Sequence, residues 1–174
     1  MKFKIAGFRL VSALALAAAL FASPAAAAWQ KEADVAGGWN MDGSRTWQAM
    51  VLAAGEHRLK QNLFIRVEPT LEYIRASGQT LFDGGASLVA RMKAPMGAAT
   101  PFFDVGAGAN GVSRSQFAGR QLGGNFLFDL VFGVGVEFKN GLAVSYRFRH
   151  MSNGGLFKVN EGIDSGYLMM GYKF

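Results

Sequence analysis

A histidine, a serine and an acid stand near the C-terminal end of the chain: His150, Ser152 and Asp164. Hydrolysis of an ester by serine chemistry needs a nucleophile, a base that takes its proton and an acid that orients the base. Ser152, His150 and Asp164 can fill these roles in that order. Histidine suits the base because this residue type gains and loses a proton near neutral pH. The competing interpretation of the pair is a polar strand end that leaves a membrane, which needs no chemistry.

The His-x-Ser pair continues one row of a predicted strand. Side chains two positions apart on a strand share a face. If we count back from Phe174 in steps of two, the outward row of the following predicted strand leads to Asp164. The three groups therefore fall on one face, provided that neither strand contains a bulge. The apolar side chains that lead up to His150 at alternate positions are Leu142, Val144, Tyr146 and Phe148.

The same alternation runs through the chain after residue 28. In 63–73 and 126–138, one row is apolar and the opposite row carries charges and glycines. This alternation is typical of the strands of an outer-membrane barrel. We predict an all-β fold, an eight-stranded antiparallel transmembrane β-barrel. Its candidate strands are approximately 32–41, 46–55, 62–74, 80–93, 99–109, 124–138, 141–151 and 164–174.

The connections between these strands predict which side of the membrane the chemistry faces. Asn140-Gly141 and 94–98 are short turns, the former a two-residue hairpin signal, whereas 110–123 and 152–163 are longer. In bacterial barrels the short turns lie in the periplasm and the long loops outside. His150 is therefore expected at the extracellular end of its strand.

Two arginines in the neighbouring row are expected to face the interior. Arg147 and Arg149 alternate with His150, so they point to the opposite side of the strand. A buried charge is costly unless it is paired, so we predict structural ion pairs with inward acids. The candidate acids are Glu68, Glu72, Asp104, Asp129 and Glu137.

The N-terminal residues predict export. Three basic residues, an apolar run over 10–21 and small residues up to Ala28 form the pattern of a signal peptide. We predict a signal peptide over 1–28 and an outer-membrane β-barrel domain over 29–174. Loss of 1–28 removes three of the 18 basic residues and leaves 15 against 12 acidic ones, a net charge of +3. The chain has no cysteine, which excludes disulfides and thiolate metal sites.

Two short segments carry a resemblance to a known family. They are HMSNGGL at 150–156 and NEGID at 160–164. Together they resemble the C-terminal motif of the lipid A 3-O-deacylase family of outer-membrane enzymes. The resemblance implies an eight-stranded barrel with a serine, histidine and acid on its lipid-facing surface. It assigns His150 as base, Ser152 as nucleophile, and Asn153 with the Gly155 amide as the oxyanion hole.

The resemblance also implies a reaction and a location. The reaction is hydrolysis of the 3-O-linked hydroxyacyl chain of lipid A, a modification of lipopolysaccharide. The location is the outer membrane of a Gram-negative bacterium, and the terminal aromatic Phe174 resembles the assembly signal of barrels in that membrane.

One position departs from the family pattern as it is matched here. The residue in the position of Asp164 is typically glutamate, and aspartate is one methylene shorter. Asp164 would therefore need the loop to come closer, or a water between it and the histidine. Glu161 is the rival acid, but it lies in the predicted loop with no fixed face. The parity of the strand favours Asp164.

The remaining predictions concern partners and rival functions. No cofactor and no metal is expected, since the two histidines, His57 and His150, are far apart in the sequence. Lipid A is the expected partner of a membrane-embedded protein that binds no nucleic acid, and the sequence leaves a homodimer open. The alternative function is a non-enzymatic small outer-membrane barrel with a structural or adhesion role, in which His150 and Ser152 are dispensable. A third interpretation, a soluble lipid-binding barrel, predicts an apolar interior.

Overall fold

The chain forms a closed antiparallel barrel of eight strands, seen in a computed structural model that describes residues 29–43 and 45–174. The predicted signal peptide, 1–28, lies outside the described residues. Around the barrel the strands follow the order β1-β10-β9-β8-β5-β4-β3-β2, and β2 returns to β1. The barrel strands are β1 (Gln30–Asn40), β2 (Thr46–Arg58), β3 (Leu63–Ala76), β4 (Gln79–Lys93), β5 (Ala99–Val112), β8 (Phe126–Phe138), β9 (Leu142–Ser152) and β10 (Ile163–Lys173). A small hairpin outside the wall contains β6 (Gln116–Phe117) and β7 (Arg120–Gln121).

The predicted fold class is confirmed, and each of the eight predicted strands lies within three residues of an observed one at both ends. Across the described part of the chain, no helix is long and apolar enough to cross a membrane. Two connections differ from the prediction. The turn between β8 and β9 has three residues, 139–141, with Gly141 in the left-handed region at φ 87°. The segment 110–123, predicted as a plain loop, contains the β6–β7 hairpin.

The two faces of the wall have opposite chemistry. Along the barrel strands, buried inward residues alternate with outward residues that are mostly apolar and exposed or half-buried, which is the pattern of a barrel in lipid. The inside is charged rather than apolar, which contradicts the soluble lipid-binding barrel. Members of the exposed apolar surface include Val35, Val51, Leu88, Val105, Leu130, Val134, Leu168 and Met170.

Ion pairs fill the interior at the depth of Arg147 and Arg149. The Arg147 guanidinium lies 2.6 Å from Glu68, and that of Arg149 lies 2.7 Å from Glu72 and 2.9 Å from Asp129. The predicted pairing of the two arginines is confirmed. Glu137 is the exception among the predicted acids. It contacts Lys93 and Lys173 near the other end of the barrel.

An apolar cluster closes the extracellular end of the barrel. The β6–β7 hairpin contributes to it, and so do inward residues at the ends of the strands. Burial of such side chains stabilises the loops above the barrel as a core would. Met151 and Ile163, which flank the candidate site residues on β9 and β10, belong to it. Its full membership is Ile74, Ala76, Leu81, Val112, Phe117, Leu122, Leu127, Met151 and Ile163.

Candidate active site

The pairing of β9 with β10 brings His150 and Asp164 together. The two residues are direct cross-strand partners, and Nδ1 of His150 lies 2.6 Å from Oδ1 of Asp164. Their side chains are 37% and 50% exposed, so the pair is on the outer surface of the barrel. The shorter aspartate reaches the imidazole directly because the strands pair in register without a bulge between 142–151 and 163–172.

This contact favours one tautomer of the imidazole. When Asp164 is ionised it can only accept, and Nδ1 of His150 then donates the hydrogen bond. Nε2 then bears a lone pair, as a general base requires. Gly162 lies next to the edge of the ring that bears Cε1 and Nε2. A methyl group added at Gly162 would stand 2.9 Å from Cε1 and 3.5 Å from Nε2 of His150.

Ser152 ends the same strand on the same face. It is half-exposed, while its neighbours Met151 and Asn153 are fully buried on the inner side. Across the strand pair it lies opposite Phe128, and His150 lies opposite Leu130. Among the described residues, no side chain forms a hydrogen bond with the Ser152 hydroxyl. The sequence prediction that His150, Ser152 and Asp164 share one face therefore agrees with the geometry.

The predicted oxyanion donors are engaged elsewhere in this structure. The side-chain amide of Asn153 is buried and donates to the carbonyl oxygens of Leu122 and Val159, at 2.9 and 2.6 Å. The Gly155 N–H donates to Oδ1 of Asn153 at 2.9 Å. The parity that turns Ser152 outward also turns Asn153 inward. Asn153 thus holds the loop 153–162 in shape, and neither group is a free donor beside Ser152.

Glu161, the rival acid, is held away from the histidine. Its carboxylate accepts a hydrogen bond from the backbone N–H of Gln121 on β7. The backbone N–H of Glu161 donates in turn to the Gln121 backbone carbonyl at 3.1 Å. No hydrogen bond joins Glu161 to His150 in the described part of the chain. Between the two candidates, the structure pairs His150 with Asp164.

The other histidine does not contribute to the site. His57 lies toward the opposite end of β2, and its ring stacks on that of Trp29 with 5.4 Å between the ring centroids. No group of three or more His, Cys, Asp or Glu side chains within the described residues is arranged to hold a metal ion.

Sequence reasoning missed the contacts that the β6–β7 hairpin makes with the site. Arg120 donates from Nη1 to the Gly162 carbonyl at 2.5 Å, and its other terminal nitrogen pairs with Asp42. Gly162 borders the His150 ring, so these contacts lie next to the candidate base. Spacing along the chain gives no signal for them, because they join residues more than 40 positions apart.

A closed eight-stranded barrel with a charged interior and an apolar exterior defines an outer-membrane β-barrel protein, and this one carries a serine, histidine and carboxylate in one outward patch. A model of the family described as "Lipid A 3-O-deacylase (PagL)" matches residues 17–173. The chain belongs to that family, and its location is the outer membrane.

One curated relative agrees with this assignment in sequence, and two solved structures are similar in fold. The chain is similar to "Lipid A deacylase PagL" of Pseudomonas aeruginosa, with 37% identity over 65 residues. That match spans 37% of this chain and 38% of the relative's length. Among solved structures, the barrel is similar to "the outer membrane enzyme PagL", with a TM-score of 0.68, 22% identity, and coverage of 81% of this chain and 98% of the other. It is also similar to "Neisserial surface protein A (NspA)", with a TM-score of 0.54, 18% identity, and coverage of 83% and 94%. These two likenesses show the fold alone.

Proposed function

We propose that this protein is an outer-membrane esterase that hydrolyses the 3-O-linked hydroxyacyl chain of lipid A by a Ser-His-acid mechanism on its lipid-facing surface. The observation that carries the proposal is the 2.6 Å contact between His150 and Asp164 on the same outward face as Ser152. Family membership supplies the substrate class. A barrel with the same fold and no activity would have no need for an outward acid–histidine pair.

In the first step, Nε2 of His150 takes the proton of Ser152 as its Oγ attacks the ester carbonyl carbon. Asp164 keeps Nδ1 protonated and stabilises the positive imidazolium that forms. The tetrahedral intermediate collapses with cleavage of the bond to the 3-oxygen of the sugar. The imidazolium returns the proton to that oxygen, which leaves as a hydroxyl, and the acyl group remains on Ser152.

In the second step, water replaces the sugar. His150 takes a proton from a water molecule, which attacks the acyl carbonyl carbon. The intermediate collapses, the proton goes to Oγ, and a free hydroxy fatty acid leaves. The serine is regenerated with no net change in the protein, and no redox partner or metal is needed for the proton transfers.

The surroundings of the pair suit a lipid substrate. Phe128 and Leu130, opposite Ser152 and His150 on β8, give the β8 side of the site an apolar surface. An acyl chain of a lipid in the outer leaflet can lie along this row while its ester group meets Ser152. Each described catalytic group comes from a single chain, so the proposal requires no homodimer.

The oxyanion hole requires a local change in the loop. Gly155 N–H is bonded to Asn153, so to reach a negative oxygen it has to release that bond. Bonds of this kind often tighten or change only when substrate is bound. We propose that the Gly155 N–H donates to the negative oxygen and that Asn153 positions Gly155. The buried side-chain amide of Asn153 suits this role because it donates to two backbone carbonyl groups and so keeps the loop closed.

The proposal is tested by the mass of lipid A from a Gram-negative host without such an enzyme. The wild-type chain should remove one hydroxyacyl group, and Ser152→Ala should leave lipid A intact while its barrel still shows heat-modifiable migration on a gel. The outward Ser152 hydroxyl contributes little to packing, so folding is expected to survive. Identical, unmodified lipid A with both proteins would favour a structural or adhesion role, and deacylation by Ser152→Ala would remove the serine as nucleophile.

A further inference from the structure

Arg120 joins three separate segments of the extracellular surface. It lies on β7, donates to the Gly162 carbonyl at 2.5 Å, and forms an ion pair with Asp42 in the loop between β1 and β2. The side chains of Arg120 and Asp42 are 28% and 30% exposed, so both are largely covered by protein. Arg120 therefore lies between two anchors on different loops.

One of these anchors borders the histidine. A methyl group at Gly162 would lie 2.9 Å from Cε1 of His150 and 2.8 Å from the Met151 carbonyl. Gly162 is thus packed against the ring edge that bears Cε1 and Nε2. Its carbonyl accepts the hydrogen bond from Arg120, so Arg120 contacts the same residue that packs on the imidazole.

The other anchor borders the acid. Met41, next to Asp42 in the chain, donates its N–H to the Asp164 carbonyl at 2.9 Å. The loop that holds the backbone of Asp164 is therefore tied through Arg120 to the backbone that packs on His150. The same guanidinium thus contacts the residue beside His150 and the loop that holds the Asp164 backbone.

We propose that Arg120 is a positioning residue for the His150–Asp164 pair, and that it acts by holding Gly162 against the imidazole. The inference rests on the proposed function for its effect on rate. An arginine suits this role because its planar fork presents several donors in fixed directions and can serve two acceptors at once. A lysine has one compact ammonium group, which can contact either the carbonyl or the carboxylate but matches the pair less well.

The first test compares the rates of Arg120→Gln and Arg114→Gln. Arg114 is exposed in the same long loop and forms no hydrogen bond or ion pair with a described residue, so its variant removes the same charge without touching the site. A small misplacement of a catalytic group can cost about 10²-fold in rate. We expect a loss of that order in kcat for Arg120→Gln with little change in KM, partial recovery in Arg120→Lys, and no change for Arg114→Gln. Equal rates for Arg120→Gln and the wild type would overturn the inference.

The second test observes the histidine without relying on activity. The chain has only two histidines, so ¹⁵N-histidine labelling in a His57→Gln background reports His150 alone. The proton shared by Nδ1 and the Asp164 carboxylate should give a strongly downfield resonance. We expect this resonance to broaden or disappear in Arg120→Gln and to persist in Arg114→Gln. An unchanged resonance in Arg120→Gln, with reduced activity, would show that Arg120 acts by another route and would refute the proposal.

A variant on the other side of the contact covers the case in which Arg120→Gln does not fold. Gly162→Ala leaves the hairpin intact but forces the backbone away from the ring, so it should also reduce kcat and perturb the His150 resonance. Gly111→Ala is the matched control, because a methyl group there meets only one atom, at an ordinary 3.8 Å. Wild-type activity and spectrum in Gly162→Ala would contradict the proposal.

Failure of the positioning role and failure of the proposed function give different results. If the wild-type chain leaves lipid A intact, or if Ser152→Ala still deacylates it, the proposed function or its serine mechanism fails, yet the His150 spectrum still decides whether Arg120 holds the pair. If Ser152→Ala is inactive while Arg120→Gln matches the wild type in rate and spectrum, only the positioning role is wrong.

Discussion

Replacement of Asp164 by asparagine removes the charge beside His150 and keeps the size of the side chain. Nδ1 of His150 lies 2.6 Å from Oδ1 of Asp164, and the two charge centres of an ionised pair are then about 4 Å apart. At an effective dielectric constant of about 20, their attraction is about 4 kcal/mol. Since about 1.4 kcal/mol corresponds to a tenfold change in rate, the full attraction would correspond to about 10³-fold.

Exposure lowers this figure. The Asp164 side chain is 50% exposed, so solvent and headgroups screen its charge more than they would screen a buried acid. In a serine protease whose acid is buried, replacement of that acid by asparagine lowers kcat by about 10⁴-fold. We therefore expect Asp164→Asn to reduce kcat/KM by about 10²-fold to 10³-fold, part of it because the asparagine amide favours the wrong tautomer of His150.

The assay measures fatty acid released from purified lipid A in detergent micelles, with heat-modifiable migration as the control for folding. Asp164→Glu keeps the charge and restores the residue usual at this position in the family motif, so it should retain substantial activity. Glu161→Gln is the matched control, because it removes a carboxylate charge from the neighbouring loop, where that group accepts a bond from Gln121 rather than from His150. An inactive Glu161→Gln beside an active Asp164→Asn would refute the assignment of the acid.

Three further predictions follow from the same structure. His150→Asn should be as damaging as Ser152→Ala, and the double variant no worse than either, since base and nucleophile act as a unit; a double variant far slower than both, by initial rates, would break the assignment. Full activity is expected in excess chelator, because the proton transfers need only the side chains; loss of activity that a divalent ion restores would contradict this. Arg149→Met leaves Glu72, Asp83 and Asp129 without their shared cation and should destabilise the barrel by about 3–5 kcal/mol, measured as a lower urea midpoint for unfolding; an unchanged midpoint would show that the ion pairs are dispensable.

The strands and the face of the site could be predicted because both depend on a period of two residues. Alternation placed Ser152 and His150 in one row, and counting back from Phe174 placed Asp164 in the matching row of the next strand. That count holds because β9 and β10 pair without a bulge. The register pairs His150 with Asp164, since a residue on the strand has a fixed direction, and Asp164 stays the predicted acid.

The loops could not be predicted in the same way, because their contacts join distant parts of the chain. Asn153 is directed inward by parity, but its partner Leu122 lies 31 positions away on another loop. Arg120 reaches Gly162 from a hairpin of two-residue strands that carries no periodic signal. The sequence therefore indicates the donors that a loop contains, whereas the fold determines which of them are already hydrogen-bonded within the protein.

The most direct measurement of the central claim is the mass of the Ser152 peptide after rapid acid quenching of the protein with purified lipid A. We expect a transient increase equal to one hydroxyacyl group on Ser152, together with lipid A that lacks the acyl group at position 3. Lipid A that loses this group while no acyl adduct forms on Ser152, and while Ser152→Ala remains active, would contradict the account.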